Sequence, residues 1–343
     1  RFPCPIPEAQ VSAYERDGFM VLENVFDASE VAALRRHAEA LRAEQARLQP
    51  GTVIREPGRD DDGAVRSVFA IHKQSDAFAA LVADRRLAGL AASLLGDEVY
   101  VHQSRLNFKP AFHGKEFYWH SDFETWHTED GMPRMRALSM SIMLDDNHPQ
   151  AGPTMFVPGS HQRYVTCVGR TPDDHYKASL RKQEYGVPDH DSLRRLVDEG
   201  GIAAPAPKAG SVVVFDCNTM HGSNGNITPY GRSNAFIVFN AWSNRLVAPF
   251  GDTKPRPEFI AHREVDALLG QRRHRPVRDA ARDDVFAHVR HVGRVVEGEP
   301  VHRPATGQAH ADGGDLARLG ALGVDPHARI LGEPAGGDAE LGE

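Results

Sequence analysis

Between residues 98 and 243 apolar and polar residues alternate with a period of two in a series of short stretches. These are EVYVHQSRLNFKP (98–110), ALSMSIMLDD (137–146), GPTMFVPGSH (152–161), SVVVFD (211–216) and RSNAFIVFNAWS (232–243). Successive side chains of a strand point to opposite faces, so this pattern specifies strands. The stretch 137–146 is informative. Leu138, Met140, Ile142 and Leu144 form one apolar face, and Ala137, Ser139, Ser141 and Met143 form a small, partly polar one. Short strands divided by Gly, Pro and Asn turns fold as a β-sandwich or barrel.

Ahead of the strands the period is helical. Residues 7–45 read as helix, with Asp27 and Glu30 as a capping pair before Val31, Leu34, Ala38 and Leu41. Residues 75–95 form a second helical block closed by Gly96. Residues 162–208 are a polar excursion with a short helix around Ser192–Glu199. Residues 1–270 thus form one domain. Residues 271–343 hold a single aromatic, Phe286, and too few large apolar residues for a core, so a disordered or loosely attached tail is expected there.

The charge balance, −7 over 343 residues, has no basic stripe and argues against a nucleic-acid partner. No run approaches eighteen apolar residues, so no transmembrane helix is expected. The start RFPCPIPEAQ lacks a signal-peptide apolar region and an initiator Met, and reads as a partial N-terminus. Three cysteines without a CxxC pair suit a reducing compartment.

The chemistry concentrates in FYWHSDFETWHTEDGMP (117–133). On a strand His120 and Asp122 share a face, and His221, after the apolar SVVVFD, can close a triangle. Two imidazoles and one carboxylate leave open positions on a metal and suit Fe(II). HxD alone is equally an ordinary surface tripeptide. Arg232 opens the next strand and could fork onto a carboxylate, or be a plain strand-end arginine. Trp126 offers a face to an organic cation, or packs in a core. His127 is a tempting fourth ligand, but hydrogen bonding outside the triad suits it better, with the neighbouring acids holding a loop that ends at GMP.

HxD, GPTMFVPGSH and His221 with Arg232 together resemble the phytanoyl-CoA dioxygenase-like branch of the Fe(II)/2-oxoglutarate oxygenases. Within it, 117–133 resembles the signature of the ectoine hydroxylases, as do QSRLNFKP, SMSIMLDDNHPQAGPTMFVPGSH and NAFIVFNAWSNRLVAPFG, over about residues 8–265. The resemblance implies a mainly β chain with flanking helices and a double-stranded β-helix (jelly roll, cupin-like) core. It implies Fe(II) on His120, Asp122 and His221, with 2-oxoglutarate on Lys109 and Arg232. Ectoine would meet Gln103 and Trp126. Strand face and neighbourhood add Asn107, Ser141 and Phe239 as further pocket residues.

The implied reaction turns ectoine into 5-hydroxyectoine, a stress-protective compatible solute, with O₂ consumed and succinate and CO₂ released. A carboxylate at 122 argues for hydroxylation over halogenation, which would need that position open for chloride. The family also implies a cytoplasmic homodimer. Three other readings stand beside this one. They are a dioxygenase for another small molecule or an acyl-CoA, a non-catalytic metal-binding jelly roll, and an interaction protein acting through the His-rich tail.

Overall fold

The computed structural model describes residues 4–55, 65–165, 167–168, 187–251 and 254–269. All lie within the first of two compact units, Arg1–Arg294, and the second, Val295–Glu343, lies outside them. The expected tail at 271–343 and its boundary at 270 fall outside the described residues.

The period-two stretches form the expected strands. The large sheet runs β1 (Phe19–Leu22), β10 (Val212–Asp216), β6 (Ala137–Met143), β12 (Arg232–Ala241), β4 (Val99–Lys109), β3 (Val65–Phe69) and β2 (Val53–Arg55), antiparallel throughout. A smaller sheet pairs β5 (Phe117–His120), β11 (His221–Ser223) and β7 (Thr154–Phe156). A further pair, β8 (Cys167–Val168) and β9 (Val187–Pro188), lies in the excursion. This is the mainly β, jelly-roll architecture expected, with helices to one side.

The two faces of β6 divide as its alternation requires. Leu138, Met140 and Ile142 join the main core, into which the helices α1 (Glu8–Asp17), α2 (Ala28–Ala43), α4 (Asp76–Ala83) and α5 (Leu90–Leu95) pack Tyr14, Leu34, Phe78 and Leu90. On the other face a second cluster, with Phe156 from the small sheet and Phe215 and Phe236 from the large one, floors a cavity between the sheets. Phe156 packs against Phe215 with ring centroids 5.2 Å apart.

Several boundaries differ from the sequence reading. The block 7–45 is not continuous helix. Gly18 ends α1 in the left-handed conformation, and FMVL becomes the edge strand β1 on β10. Its apolar residues suit either period, and pairing decides. Helix α2 carries the expected capping box, with Asp27 accepting from Ser29 and Glu30 and Glu30 reaching back to the Asp27 amide. Block 75–95 breaks at Asp84, which is extended and caps a wide turn over Arg85–Gly89. The strand in 152–161 shrinks to Thr154–Phe156. Strands β2 and β3 escaped the reading, being short and separated by a charged stretch. Helix α3 (Ile71–Gln74) is a single turn, and α7 (His190–Gly200) is the helix expected in the excursion.

Candidate functional site

The metal candidates come from the small sheet and the turn beside it. His221 in β11 is the direct cross-strand partner of His120 in β5, and their rings lie 4.2 Å apart between centroids. Antiparallel pairing thus joins histidines far apart in sequence. Asp122 is not on the strand as expected; it opens the short helix α6 (Asp122–Thr125). Ser121 before it keeps extended dihedrals (φ −104, ψ 143), so the alternation carries Asp122 to the side of His120 before the chain coils. The Phe123 amide then donates to the Cys217 carbonyl (2.8 Å), which fixes the coil.

The three side chains offer ligand atoms all within 4.8 Å of one another. His120 Nδ1 faces the Tyr118 carbonyl at 2.7 Å and His221 Nδ1 the Thr219 carbonyl at 2.9 Å. Each carbonyl requires a proton on Nδ1, so both Nε2 lone pairs are free for a metal. Burial, with His221 adjacent, pushes His120 down to about 4, so its imidazole is neutral near pH 7. Ser139 Oγ donates to Asp122 Oδ2 at 3.3 Å and steadies the carboxylate. The donor set fits Fe(II) with open positions.

His127 stands outside this group. Its Nδ1 faces the Met132 carbonyl at 2.8 Å, and its ring stacks between Phe123 and Phe250. The expected loop around it is helical, with a wide turn over Trp126–Asp130 following α6. The Trp126 amide donates to the Asp122 carbonyl, one helical turn back, so both side chains face the cavity. The acids do brace the segment. Asp130 holds Arg256 in a fork (2.8 and 2.5 Å) and lies 3.3 Å from His102. Burial alone would raise the Asp130 carboxyl, but Arg256 and His102 hold it at about 2. Gly131, at φ +75, ends the turn where a Cβ would stand 2.1 Å from the Val247 carbonyl oxygen.

The large sheet lines the cavity in rows. Lys109 pairs with Arg232, Asn107 with Asn234, Arg105 with Phe236 and Gln103 with Val238. In the first row both cations reach the Gly152 carbonyl, Lys109 at 3.3 Å and Arg232 at 2.6 Å. Lys109 also donates to Ser223 Oγ (2.9 Å). Arg232 has no carboxylate partner among the described residues, its Nε is buried and unpaired, and burial lowers it to about 10. An uncompensated guanidinium is costly unless an anion answers it. Asn107 and Ser141 both line the cavity, Asn107 accepting from Ser67 (3.0 Å) and Ser141 from Asn234. Gln103 lines it too, with Nε2 on the Ile260 carbonyl (2.8 Å), which leaves its oxygen for a ligand.

Phe239 is a correction. It lies fully buried in the main core and does not line the cavity. Arg232, Asn234 and Phe236 face the cavity, so strict alternation turns 239 the other way. Phe236 is the aromatic that the parity of β12 should have selected. By the same parity, Arg105 in β4 and Val213 and Phe215 in β10 belong to the site.

The family model for phytanoyl-CoA dioxygenase (PhyH) matches residues 14–234. Ectoine dioxygenase from Sphingopyxis alaskensis is 60% identical over 266 residues, 78% of this chain and 86% of that protein. That from Halomonas elongata is 49% identical over 263 residues, 77% of this chain and 78% of that protein. The crystal structure of EctD from S. alaskensis with 2-oxoglutarate and 5-hydroxyectoine aligns with a TM-score of 0.69 at 52% identity, over 79% of this chain and 89% of that one. The form with bound Fe aligns at 0.68. With its metal triad, its unanswered arginine and these relatives, the chain belongs to the ectoine dioxygenases of the phytanoyl-CoA dioxygenase (PhyH) family.

Proposed function

We infer that this chain hydroxylates ectoine to 5-hydroxyectoine as an Fe(II)- and 2-oxoglutarate-dependent dioxygenase. The observation that carries this is the convergence of His120, Asp122 and His221 in one cavity with Arg232, which has no carboxylate partner among the described residues. His120, Asp122 and His221 would hold the iron, which supplies O₂ activation coupled to decarboxylation of the cosubstrate. Arg232 and Lys109 bind the distal carboxylate of 2-oxoglutarate, and the Gly152 carbonyl they share sets their spacing. Asn107 and Ser141 contribute polar atoms along it. Trp126 presents an indole face to the ectoine amidinium, a contact worth roughly 0.5–2 kcal/mol. Gln103 Oε1 accepts from the ring N–H.

A long acyl chain finds little here. The walls carry Arg66, Gln103, Arg105, Asn107, Lys109 and Arg232, which suits small charged molecules. Anaerobic loading with Fe(II), 2-oxoglutarate and ectoine, then O₂, tests the reading by product analysis. Succinate should form with ectoine and stay at the no-substrate level with proline or an acyl-CoA. Equal succinate with and without ectoine would sink the assignment. In the Asp122→Ala variant, hydroxyectoine formation should vanish.

Family resemblance supports a cytoplasmic homodimer. Light scattering of the purified protein should read the mass of two chains. No helix among the described residues is long and apolar enough to cross a membrane.

A further inference from the structure

Strand β4 carries one residue more than its partner. Gln103 pairs with Val238 and Val101 with Phe239, so His102 has no partner on β12. Such a bulge re-aims side chains, and bulges concentrate beside functional sites. Here it changes the parity of the strand. Val99 and Val101 before it join the main core, whereas Gln103, Arg105, Asn107 and Lys109 after it line the cavity. His102 itself is fully buried and does not line the cavity. It meets both ends of the wide turn over Trp126–Asp130. Its ring stands edge-on to the Trp126 indole, 5.0 Å between ring centres. Its Nε2 lies 3.3 Å from Asp130 Oδ2. A carboxylate only accepts, so Nε2 carries the proton. Both partners of this contact are held in turn. The His102 carbonyl takes the His262 amide (2.9 Å), and Asp130 is forked onto Arg256.

An apolar side chain would fill the same space without burying two ring nitrogens, a cost that calls for a return. The return is in the sequence neighbour. Gln103 is joined to His102 by one peptide bond, so a tie from His102 to the turn fixes the distance between the Gln103 amide and the Trp126 indole. We propose that His102 is a positioning residue, which holds Trp126 against Gln103 so that two walls of the substrate pocket keep one spacing. This rests on ectoine being the substrate. A small ring held on two sides tolerates little change in that spacing before its reacting carbon is displaced.

The test compares His102→Phe, which keeps a ring against Trp126 and drops the donor to Asp130, with His102→Gln, whose amide N–H can reach Asp130. Anaerobic calorimetry reads ectoine binding to protein loaded with Fe(II) and 2-oxoglutarate, and a separate titration reads 2-oxoglutarate. Loss of a hydrogen bond to a charged group predicts about 10-fold weaker ectoine binding in His102→Phe. 2-Oxoglutarate affinity should move less than about threefold, and His102→Gln should stay within about threefold of the parent for both. After O₂ is added, His102→Phe should release more succinate per hydroxyectoine than the parent, because its substrate sits out of line. A purely structural role predicts fewer binding sites per chain, with affinity and the succinate-to-hydroxyectoine ratio unchanged, and that result would overturn the proposal. An equal fall in both affinities would overturn it too, as would His102→Gln behaving like His102→Phe. Should His102→Phe not fold, His102→Asn, which shortens the donor's reach, is judged in its place by the same criteria. Parent protein that binds no ectoine would instead overturn the functional reading itself.

Discussion

At the scale of single residues, the site separates groups by what answers them. His120 and His221 spend Nδ1 on backbone carbonyls and keep Nε2, whereas His127 spends Nδ1 in the same way but sits in an aromatic stack away from the triad. Ligand or bystander is thus decided by where the second nitrogen points. Arg232 is the sharpest case, because its buried charge lacks a carboxylate among the described residues. Replacing it with Gln should raise the KM for 2-oxoglutarate about 10- to 100-fold, as expected when a charge-assisted pair is lost, with a smaller change in kcat. Steady-state kinetics with ectoine saturating reads that split. The candidate metal set, whose ligand atoms lie within 4.8 Å of one another, was legible in the sequence because HxD with a distal His after an apolar strand is a sparse combination. Phe239 was misplaced because neighbourhood was allowed to outweigh parity, and Arg105 was overlooked because a strand arginine has no signature until its partners are known to be missing.

At the scale of elements, the segment after the metal strand changes most between reading and structure. It is coil-forming, not loop: α6 and the turn behind it set Trp126 one helical turn from Asp122. Asp130 ties the turn to Arg256 and His102 with both carboxylate oxygens engaged. Asp130→Asn should therefore cost about 3 kcal/mol, as when one partner of a buried pair is removed, partly relieved by Glu129 lying 3.6 Å from Arg256. Urea unfolding measures it. Nearby, His72 and His262 meet edge-on, 4.7 Å between ring centres, and the His262 amide donates to the His102 carbonyl (2.9 Å). Burial lowers His72 to about 4 and His262 to about 2. Their folded pKa values lie below the unfolded value near 6.5, so the unfolded chain binds more protons between those limits. Stability should be full above about pH 6.5 and fall as pH drops toward 4, by on the order of a few kcal/mol. His262→Phe should flatten that slope in urea titrations run from pH 7 to pH 4.

At the scale of the whole molecule, two sheets divide the labour. The small one supplies the two histidines of the candidate metal triad and the large one supplies the rows that line the cavity. Every residue assigned to the site lies between Arg66 and Ile260. A chain ending at residue 269 should accordingly keep ectoine hydroxylation within about twofold of the full chain, a change of under 0.5 kcal/mol in barrier. Product formation by matched amounts of the two proteins checks this. Loss of most activity would give the remaining residues a role in the fold or the reaction.

The sequence by itself determined the strands within 98–110, 137–146, 211–216 and 232–243, the cap of α2, the helix around 192–199 and the candidate metal triad. Each rests on local rules: alternation, capping chemistry, or a ligand type found in few other roles. Only tertiary structure decided that FMVL is an edge strand, since four apolar residues satisfy either period and β10 had an open edge. It alone decided which cations are answered. Arg256 and Arg105 look alike in the sequence, yet the first is forked onto Asp130 and the second stands between Phe69 and Phe236 with its Nε unpaired among the described residues. Pairing is a property of neighbours brought together across strands, and no local pattern encodes it.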